Sequence, residues 1–326
     1  MEPKQPLGRE MGEMTSSVSD INRAIRDLIN EPRLNAIVRA DRAKFNQLCS
    51  ALDLIADTEY AIDAYSELSP DIDLGLRYLA LYGLWQAFQQ QQDAVMALAD
   101  AVGVPVTKAW RKRASTVRRM RSAVVGHPVN TTDSGKRMSH QVSQITLRTS
   151  GFDLLSHADD GTYDFQSVDV IKYATNQRQL IEEALVRIET ELHRMNTEHR
   201  KAFADVKFVA LLDKVGYPLE KVMVGPDDPS GPQFVLGNVK ALESAVASFR
   251  AELDRRGIGA GTYDGTERCL AEIDYALAQL HAYYEGVEGE VQSDRAARVF
   301  ASYAHEMFDD LRGMARELDE EYELED

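Results

Sequence analysis

The sequence predicts a mainly α-helical protein with one small antiparallel β hairpin. Apolar residues recur three and four positions apart over most of the 326-residue chain, which is the period of a helix that buries one face. Only ten prolines and twenty glycines interrupt this pattern. A hydrophobic content of 44% is enough to build a substantial core. Between about residues 143 and 168, apolar and polar residues alternate instead, which indicates strands.

The first 140 residues predict a tail, a short helix and then an up-down helical bundle. We assign residues 1–32 to the tail and the short helix, which ends at Glu31-Pro32, and residues 33–140 to the bundle. The predicted helices cover about 18–30, 34–65, 71–98 and 107–125. Because the connections between them are short, successive helices are expected to pack antiparallel.

The rest of the chain predicts a hairpin and a second helical region. Residues 141–168 form the hairpin, 169–215 a long helix, 216–237 a Pro/Gly linker and 238–326 a C-terminal region of three helices with an acidic tail. The hairpin turn is predicted at Asp159-Asp160-Gly161. We favour a connecting role for the hairpin; the alternative is a lid over a basic site, with His140 near its root.

Composition excludes several classes of protein. The chain has a formal net charge of -16 and only two cysteines, Cys49 and Cys269. It opens on polar residues and has no apolar run that could span a bilayer, so we expect a cytoplasmic protein without a membrane segment. Gly-rich phosphate loops, Cys-x-x-Cys pairs and His-Glu-x-x-His motifs do not occur in the sequence, which argues against nucleotide triphosphatases, zinc modules and metalloproteases. We expect no cofactor and no metal.

One basic segment, residues 108–137, stands out from this acidic background. It contains nine Lys or Arg and one acidic residue, Asp133. A locally basic segment in an acidic protein is a candidate site for an anionic ligand such as RNA. The candidate phosphate-binding residues are Arg111, Lys112, Arg113, Arg118 and Arg119.

Arg121 and His127 are the candidate catalytic residues of this segment. Six residues correspond to about 600° of rotation at roughly 100° per residue, so an unbroken helix would point the two side chains apart. Gly126 permits a left-handed turn and Pro128 stops the helix, which would free His127 to return toward Arg121. A histidine can move a proton near neutral pH, and a guanidinium can hold phosphate oxygens. The alternative interpretation is a polar helix stop beside a solvated basic face.

Polar residues on the preceding helix are candidates for a supporting role. At helical spacing Tyr82, Gln86, Gln89 and Asp93 share one face of an otherwise apolar helix. If this face is buried, its amides and carboxylate need partners, and they would orient the Arg121/His127 pair. A solvent-facing stripe on an outer helix is the alternative.

These residues resemble the HEPN superfamily of helical bundles. The resemblance rests on Tyr-Leu-Ala-Leu-Tyr-Gly-Leu-Trp-Gln-Ala-Phe-Gln-Gln-Gln-Gln-Asp-Ala-Val from Tyr78, and on Arg121-Ser-Ala-Val-Val-Gly-His127-Pro. It covers roughly residues 34–140. The family signature is an arginine and a histidine four to six residues apart, and here five residues separate them. A small polar side chain such as Asn often follows the arginine in the family, and Ser122 is a departure from it.

The resemblance implies a metal-independent endoribonuclease, often a toxin or antiphage effector. It implies that Arg121 binds the scissile phosphate and that His127 transfers the proton. Ser122, the residue after Arg121, is a further candidate for a supporting role. It also implies a homodimer in which two Arg/His pairs form one cleft, and it leaves room for a protein partner such as an antitoxin.

The same features also fit a non-catalytic helical module for interaction or dimerisation. Its basic segment would bind nucleic acid, an acidic partner or the chain's own tail, Glu317–Asp326, which contains seven acids. Two further pairs, Arg194/His199 and Arg298/His305, satisfy the spacing without a Gly-His-Pro stop or a basic surround.

Overall fold

The computed structural model describes residues 17–129, 131–133, 136–287 and 293–323, and it confirms the mainly α-helical prediction. The helices of the described part are α1 Ser17–Asn30, α2 Pro32–Arg39, α3 Arg42–Ser66, α4 Leu74–Val102, α5 Lys108–Arg121, α6 Val170–Ala202, α7 Phe208–Leu211, α8 Gly216–Val224, α9 Pro232–Arg255, α10 Asp264–Glu285 and α11 Asp294–Glu321. Contacts divide the chain into two units. Unit 1 contains the residues up to 30 and 38–193, and unit 2 contains 31–37 and the residues from 194 onward.

The single helix predicted at about residues 34–65 is two helices, α2 and α3. The chain breaks at Asp41, whose carboxylate accepts hydrogen bonds from the amides of Ala43 and Lys44 at 3.1 Å each and so caps α3. Within unit 1, α3 packs on α4 and α4 on α5. The first half of α6 closes the bundle, because Trp110 of α5 donates its indole N–H to the carbonyl of Leu180 at 2.8 Å.

The predicted hairpin is part of a four-stranded antiparallel sheet in unit 1. Its strands are β1 Thr131–Asp133, β2 Lys136–Val142, β3 Gly151–Ala158 and β4 Tyr163–Asp169, in the order β1-β2-β3-β4. The turn between β3 and β4 falls at the predicted Asp159-Asp160-Gly161, where Gly161 has a φ of 82°. The domain boundary predicted at residues 140/141 lies inside β2. Ile145, predicted in a strand, lies in a turn and is 84% exposed.

The segment predicted as a Pro/Gly linker, residues 216–237, is structured in unit 2. It contains α8, a 3-10 turn at Gly225–Asp227 and the start of α9. Pro232 and Pro226 stand at the first positions of their helices, where a missing N–H costs nothing, and Gly231 has a φ of 85°. The prolines and glycines therefore mark helix boundaries. The helix predicted at residues 169–215 ends earlier, at Ala202. The short helices α7 and α8 follow it, and their buried residues belong to one hydrophobic core.

The acidic tail is part of α11 through Glu321. Asp319 is only 7% exposed and accepts hydrogen bonds from the amides of Phe208 and Val209 at 2.8 and 3.0 Å, so it caps α7. The carbonyl of Glu321 accepts from Arg33 at 2.8 Å and from Arg200 at 2.7 Å. The tail is therefore docked within unit 2 as far as it is described; residues 324–326, and the N-terminal residues 1–16, lie outside the described ranges.

No helix among the described residues has both the length and the apolar character needed to cross a lipid bilayer.

His199 of unit 2 is held in its neutral form. Burial lowers its pKa from the usual 6.5, and the positive charges of Arg33 and Arg256 act in the same direction, whereas its hydrogen bond to the carbonyl of Arg256 at 2.8 Å opposes them. The unfolded chain therefore binds more protons at this position than the folded chain between the lowered pKa and about 6.5. The stability that His199 contributes is fully present above that range and is lost as the pH falls through it.

We therefore expect the urea midpoint of the wild type to fall between pH 7 and pH 5, and to fall less in His199→Gln. Circular dichroism of the full chain at several pH values measures both slopes. His305→Gln, which changes a histidine of α11 whose side chain is 44% exposed, is the matched control and should keep the wild-type slope. Equal slopes in the wild type and His199→Gln would contradict this account.

Candidate functional site

The basic residues of α5 lie on the side opposite its buried face. The hydroxyl of Thr107 accepts from the amide of Trp110 at 3.1 Å and starts the helix. The buried face consists of Trp110, Ala114, Val117 and Met120. The exposed basic residues are Lys108, Arg111, Lys112, Arg113 and Arg119, whereas Arg118 and Arg121 are half-buried. Amphipathicity alone therefore presents most of the basic segment to solvent.

The helix ends in a π turn, Ser122–Gly126, that the sequence does not reveal. The amide of His127 donates to the carbonyl of Ser122 at 2.9 Å, five residues back. Gly126 is not needed for the left-handed turn that we predicted, since it is not among the glycines of positive φ. Gly126 is needed instead because a residue with a side chain would not fit beside Arg121. A Cβ at Gly126 would lie 2.7 Å from Nη1 of Arg121, so the guanidinium occupies the room that a side chain would fill.

Gln86 of α4 holds Arg121 in this position. Its Oε1 accepts from Nε of Arg121 at 3.2 Å and from Nη2 at 2.9 Å. The guanidinium thus lies between the Gln86 amide and the backbone of Gly126, directly before His127. His127 itself is exposed and lies outside the helical conformation, with φ of -141° and ψ of 57°. The structure therefore brings an anchored arginine to the turn that presents the histidine.

The arginines of the basic segment are partly neutralised. Arg113 pairs with Glu183 at 2.6 Å, and Arg118 pairs with Asp93 at 2.6 Å. These pairs are open to solvent and contribute little to stability, but they reduce the charge available to a polyanion.

Two other basic side chains reach neighbouring helices. Arg111 reaches the sulfur of Met96 at 3.8 Å. Burial raises the pKa of Tyr173, and the positive charge of Arg119 opposes that effect, which places Arg119 near the start of α6. Both arginines remain exposed, as does Lys112.

The four candidate supporting residues of α4 have different roles. Gln86, on the same face, contacts Arg121, but Asp93 contacts Arg118 instead. Tyr82 is 40% exposed and lies against Tyr78, with ring centroids 5.8 Å apart. Gln89 is half-buried. Ser122 supplies its backbone carbonyl to the π turn.

Sequence reasoning missed a buried polar network beside this face. Gln91, Gln92 and Gln177 have no exposed surface, and Glu59 is only 2% exposed. Gln91 donates to Glu59 at 2.5 Å, Gln177 to Gln91 at 3.0 Å and Gln92 to Gln177 at 2.9 Å. Arg118 completes the chain by donating to Gln92 at 3.1 Å. The sequence contains a pattern that indicates this burial. Gln91 and Gln92 stand one turn after the apolar Phe88 and one turn before the apolar Val95, both of which are buried.

The carboxylate in this network is paired. Nε of Arg178 donates to Glu59 at 3.0 Å, and its Nη2 donates to Asp63. A buried carboxylate is tolerated only with such partners. The network therefore joins α3, α4, α5 and α6 through side chains that allow a single arrangement of these helices.

Strand β2 fixes the turn after His127. The amide of His140 donates to the carbonyl of Pro128 at 2.5 Å, and β2 contacts the π turn. Tyr78 of α4 donates its hydroxyl to the carbonyl of Val142 at 3.4 Å. The sheet is thus attached to the candidate site, which goes beyond the connecting role that we favoured.

The other two Arg/His pairs are engaged elsewhere. Arg194 pairs with Glu198, and His199 bonds a backbone carbonyl. Arg298 pairs with Asp227 at 2.6 Å, and His305 lies 3.6 Å from Asp309. Arg121/His127 is therefore the pair that stands at a turn with a basic surround.

Neither a similarity to known proteins nor a metal-binding arrangement assigns a family or a function to this chain. No protein-family model matches the chain, and neither a curated protein nor a solved structure matches it significantly. Over the ranges that the structure describes, no group of three or more His, Cys, Asp or Glu side chains has an arrangement suited to a metal ion.

Arg178→Met should cost about 3–5 kcal/mol of unfolding free energy, because it strands the buried charge of Glu59. Urea unfolding followed by circular dichroism measures the loss. Adding Glu59→Leu to this variant should recover part of it, since the stranded carboxylate is removed. The control Arg187→Met changes an exposed arginine of the same helix and should stay within about 0.5 kcal/mol of the wild type. A loss below about 1 kcal/mol in Arg178→Met would contradict the conclusion that the Arg178–Glu59 pair contributes substantially to the free energy of unfolding.

Proposed function

We propose that this protein is a metal-independent endoribonuclease that uses Arg121 and His127 on the phosphodiester backbone of RNA. The observation that carries the proposal is the arginine anchored by Gln86 against Gly126, beside the turn that presents His127. The resemblance to HEPN proteins adds the expectation that such a pair acts on RNA.

Arg121 is suited to bind the scissile phosphate. A guanidinium has five N–H donors, and Gln86 takes one from Nε and one from Nη2. The donors that remain include both N–H groups of Nη1. Because Gln86 limits the rotation of the side chain, little conformational entropy is lost when a phosphate binds.

His127 is suited to start the reaction. A neutral imidazole takes the proton of a ribose 2′-hydroxyl, and the 2′-oxygen then attacks the neighbouring phosphorus. The negative charge that builds on the phosphate oxygens is stabilised by Arg121. An exposed histidine at a turn can be approached by a long polymer such as RNA.

We also propose that the protein acts as a cytoplasmic homodimer in bacterial defence, as a toxin or antiphage effector under the control of a partner. The dimer is supported by exposed apolar residues in the first turns of α4, the helix that carries Gln86, namely Leu76 at 55% and Leu79 at 68% exposure. Sedimentation equilibrium of the wild type tests it, and a monomer at micromolar concentration would contradict it.

A non-catalytic binding module is the second candidate. The exposed basic side chains of α5, Lys112 and Arg119 among them, favour it, because they can bind phosphate or carboxylate groups without any catalytic residue. Under this account RNA or an acidic protein binds without being cleaved.

The two candidates are separated by incubating the full-length protein with mixed labelled RNAs in EDTA. We expect cleavage by the wild type and a loss of about 10²–10⁴-fold in His127→Gln and Arg121→Gln. Arg187→Gln, which changes an exposed arginine of α6 outside the basic segment, is the control and should retain most activity. Thermal melts of all four proteins show whether they are equally folded.

Cleavage that persists in both site variants would contradict the assignment of the site. RNA binding without any cleavage by the wild type would favour the binding module.

A further inference from the structure

The inner face of the sheet presents His140 toward the candidate site. Val142, Phe152 and Leu154 are buried in the same core as Val124 of the π turn. Side chains alternate along a strand, so His140, two residues before Val142, points to the same side. His140 is half-buried, which leaves part of its surface open to solvent.

The backbone brings His140 close to His127. The bond of 2.5 Å from the His140 amide to the Pro128 carbonyl joins the two segments. Standard bond lengths then place the Cα atoms of His140 and His127 within about 10 Å of each other. Two imidazoles whose Cα atoms lie this close can both reach one phosphodiester group.

Ser156 holds the His140 ring in both of its protonation states. The two residues face each other across β2 and β3, and Nδ1 of His140 lies 2.8 Å from Oγ of Ser156. A hydroxyl can donate to an unprotonated Nδ1 or accept from a protonated one. The contact therefore persists while the histidine gains and loses a proton, as proton transfer requires. Ser156 is 8% exposed, so water competes little for this bond.

We propose that His140 is the general acid of the reaction, with Ser156 as its positioning residue. This inference rests on the proposed function. The neutral His127 takes the 2′ proton, the 2′-oxygen bonds to phosphorus and the bond from phosphorus to the 5′-oxygen breaks. The protonated His140 delivers its proton to that leaving oxygen. The products are a 2′,3′-cyclic phosphate and a 5′-hydroxyl, and one proton has moved from substrate to His127 and one from His140 to product.

The test compares two substrates that differ in their need for an acid. RNA releases an alkoxide and needs a proton donor, whereas a ribonucleoside 3′-(4-nitrophenyl phosphate) releases a phenolate and does not. We expect His140→Gln to lose about 10²–10⁴-fold in kcat/KM on RNA and to retain near wild-type activity on the nitrophenyl substrate. His127→Gln should lose both activities. Ser156→Ala should show a smaller loss than His140→Gln, again confined to RNA.

His157→Gln is the matched control. His157 is the next histidine of the sheet and points to the opposite face, where its ring lies 4.6 Å from that of Tyr163. It should keep both activities. Equal losses on both substrates in His140→Gln, or no loss on RNA, would overturn the inference while leaving the proposed function standing. A wild type that cleaves neither substrate would overturn both.

Discussion

The buried charge of Glu59 is the constraint on which the rest of unit 1 depends. A carboxylate with 2% exposure has to be paired, and its partners Arg178 and Gln91 stand on two other helices. The amides of Gln177 and Gln92 extend the pairing to Arg118 on α5. Because each bond has one donor and one acceptor, rotating any of these helices by one residue would leave buried polar groups without partners.

That constraint reaches the candidate site through α4. The helix that places Gln91 and Gln92 in the core also places Gln86 opposite Arg121, less than two turns earlier. The π turn then leads from Arg121 to His127, and β2 holds the following residue through the Pro128 carbonyl. The polar network, the π turn and the sheet all contact the segment that carries Arg121 and His127. The relative position of these two residues therefore depends on the packing of unit 1 as a whole.

The sequence predicted the helices well, because helical period and capping residues are local signals. The predictions were wrong where one residue pattern is compatible with two different structures. The prolines and glycines of 216–237 mark helix starts and turns, and the burial of Leu219, Val222 and Val235 shows that the segment belongs to a core. Gly126 was expected to supply a left-handed turn and instead leaves room for Arg121. The partners of Gln86 and Glu59 depend on tertiary packing, which no spacing in the sequence expresses.

The measurement that tests the central claim most directly is the chemistry of the RNA ends left by the wild-type protein in EDTA. A histidine that activates the 2′-oxygen must leave 2′,3′-cyclic phosphate or 3′-phosphate ends with 5′-hydroxyls, and it cannot cut at 2′-O-methyl nucleotides. The account predicts both results. Ends that carry 5′-phosphate and 3′-hydroxyl groups, or cleavage at 2′-O-methyl positions, would show that water is the nucleophile and would contradict it.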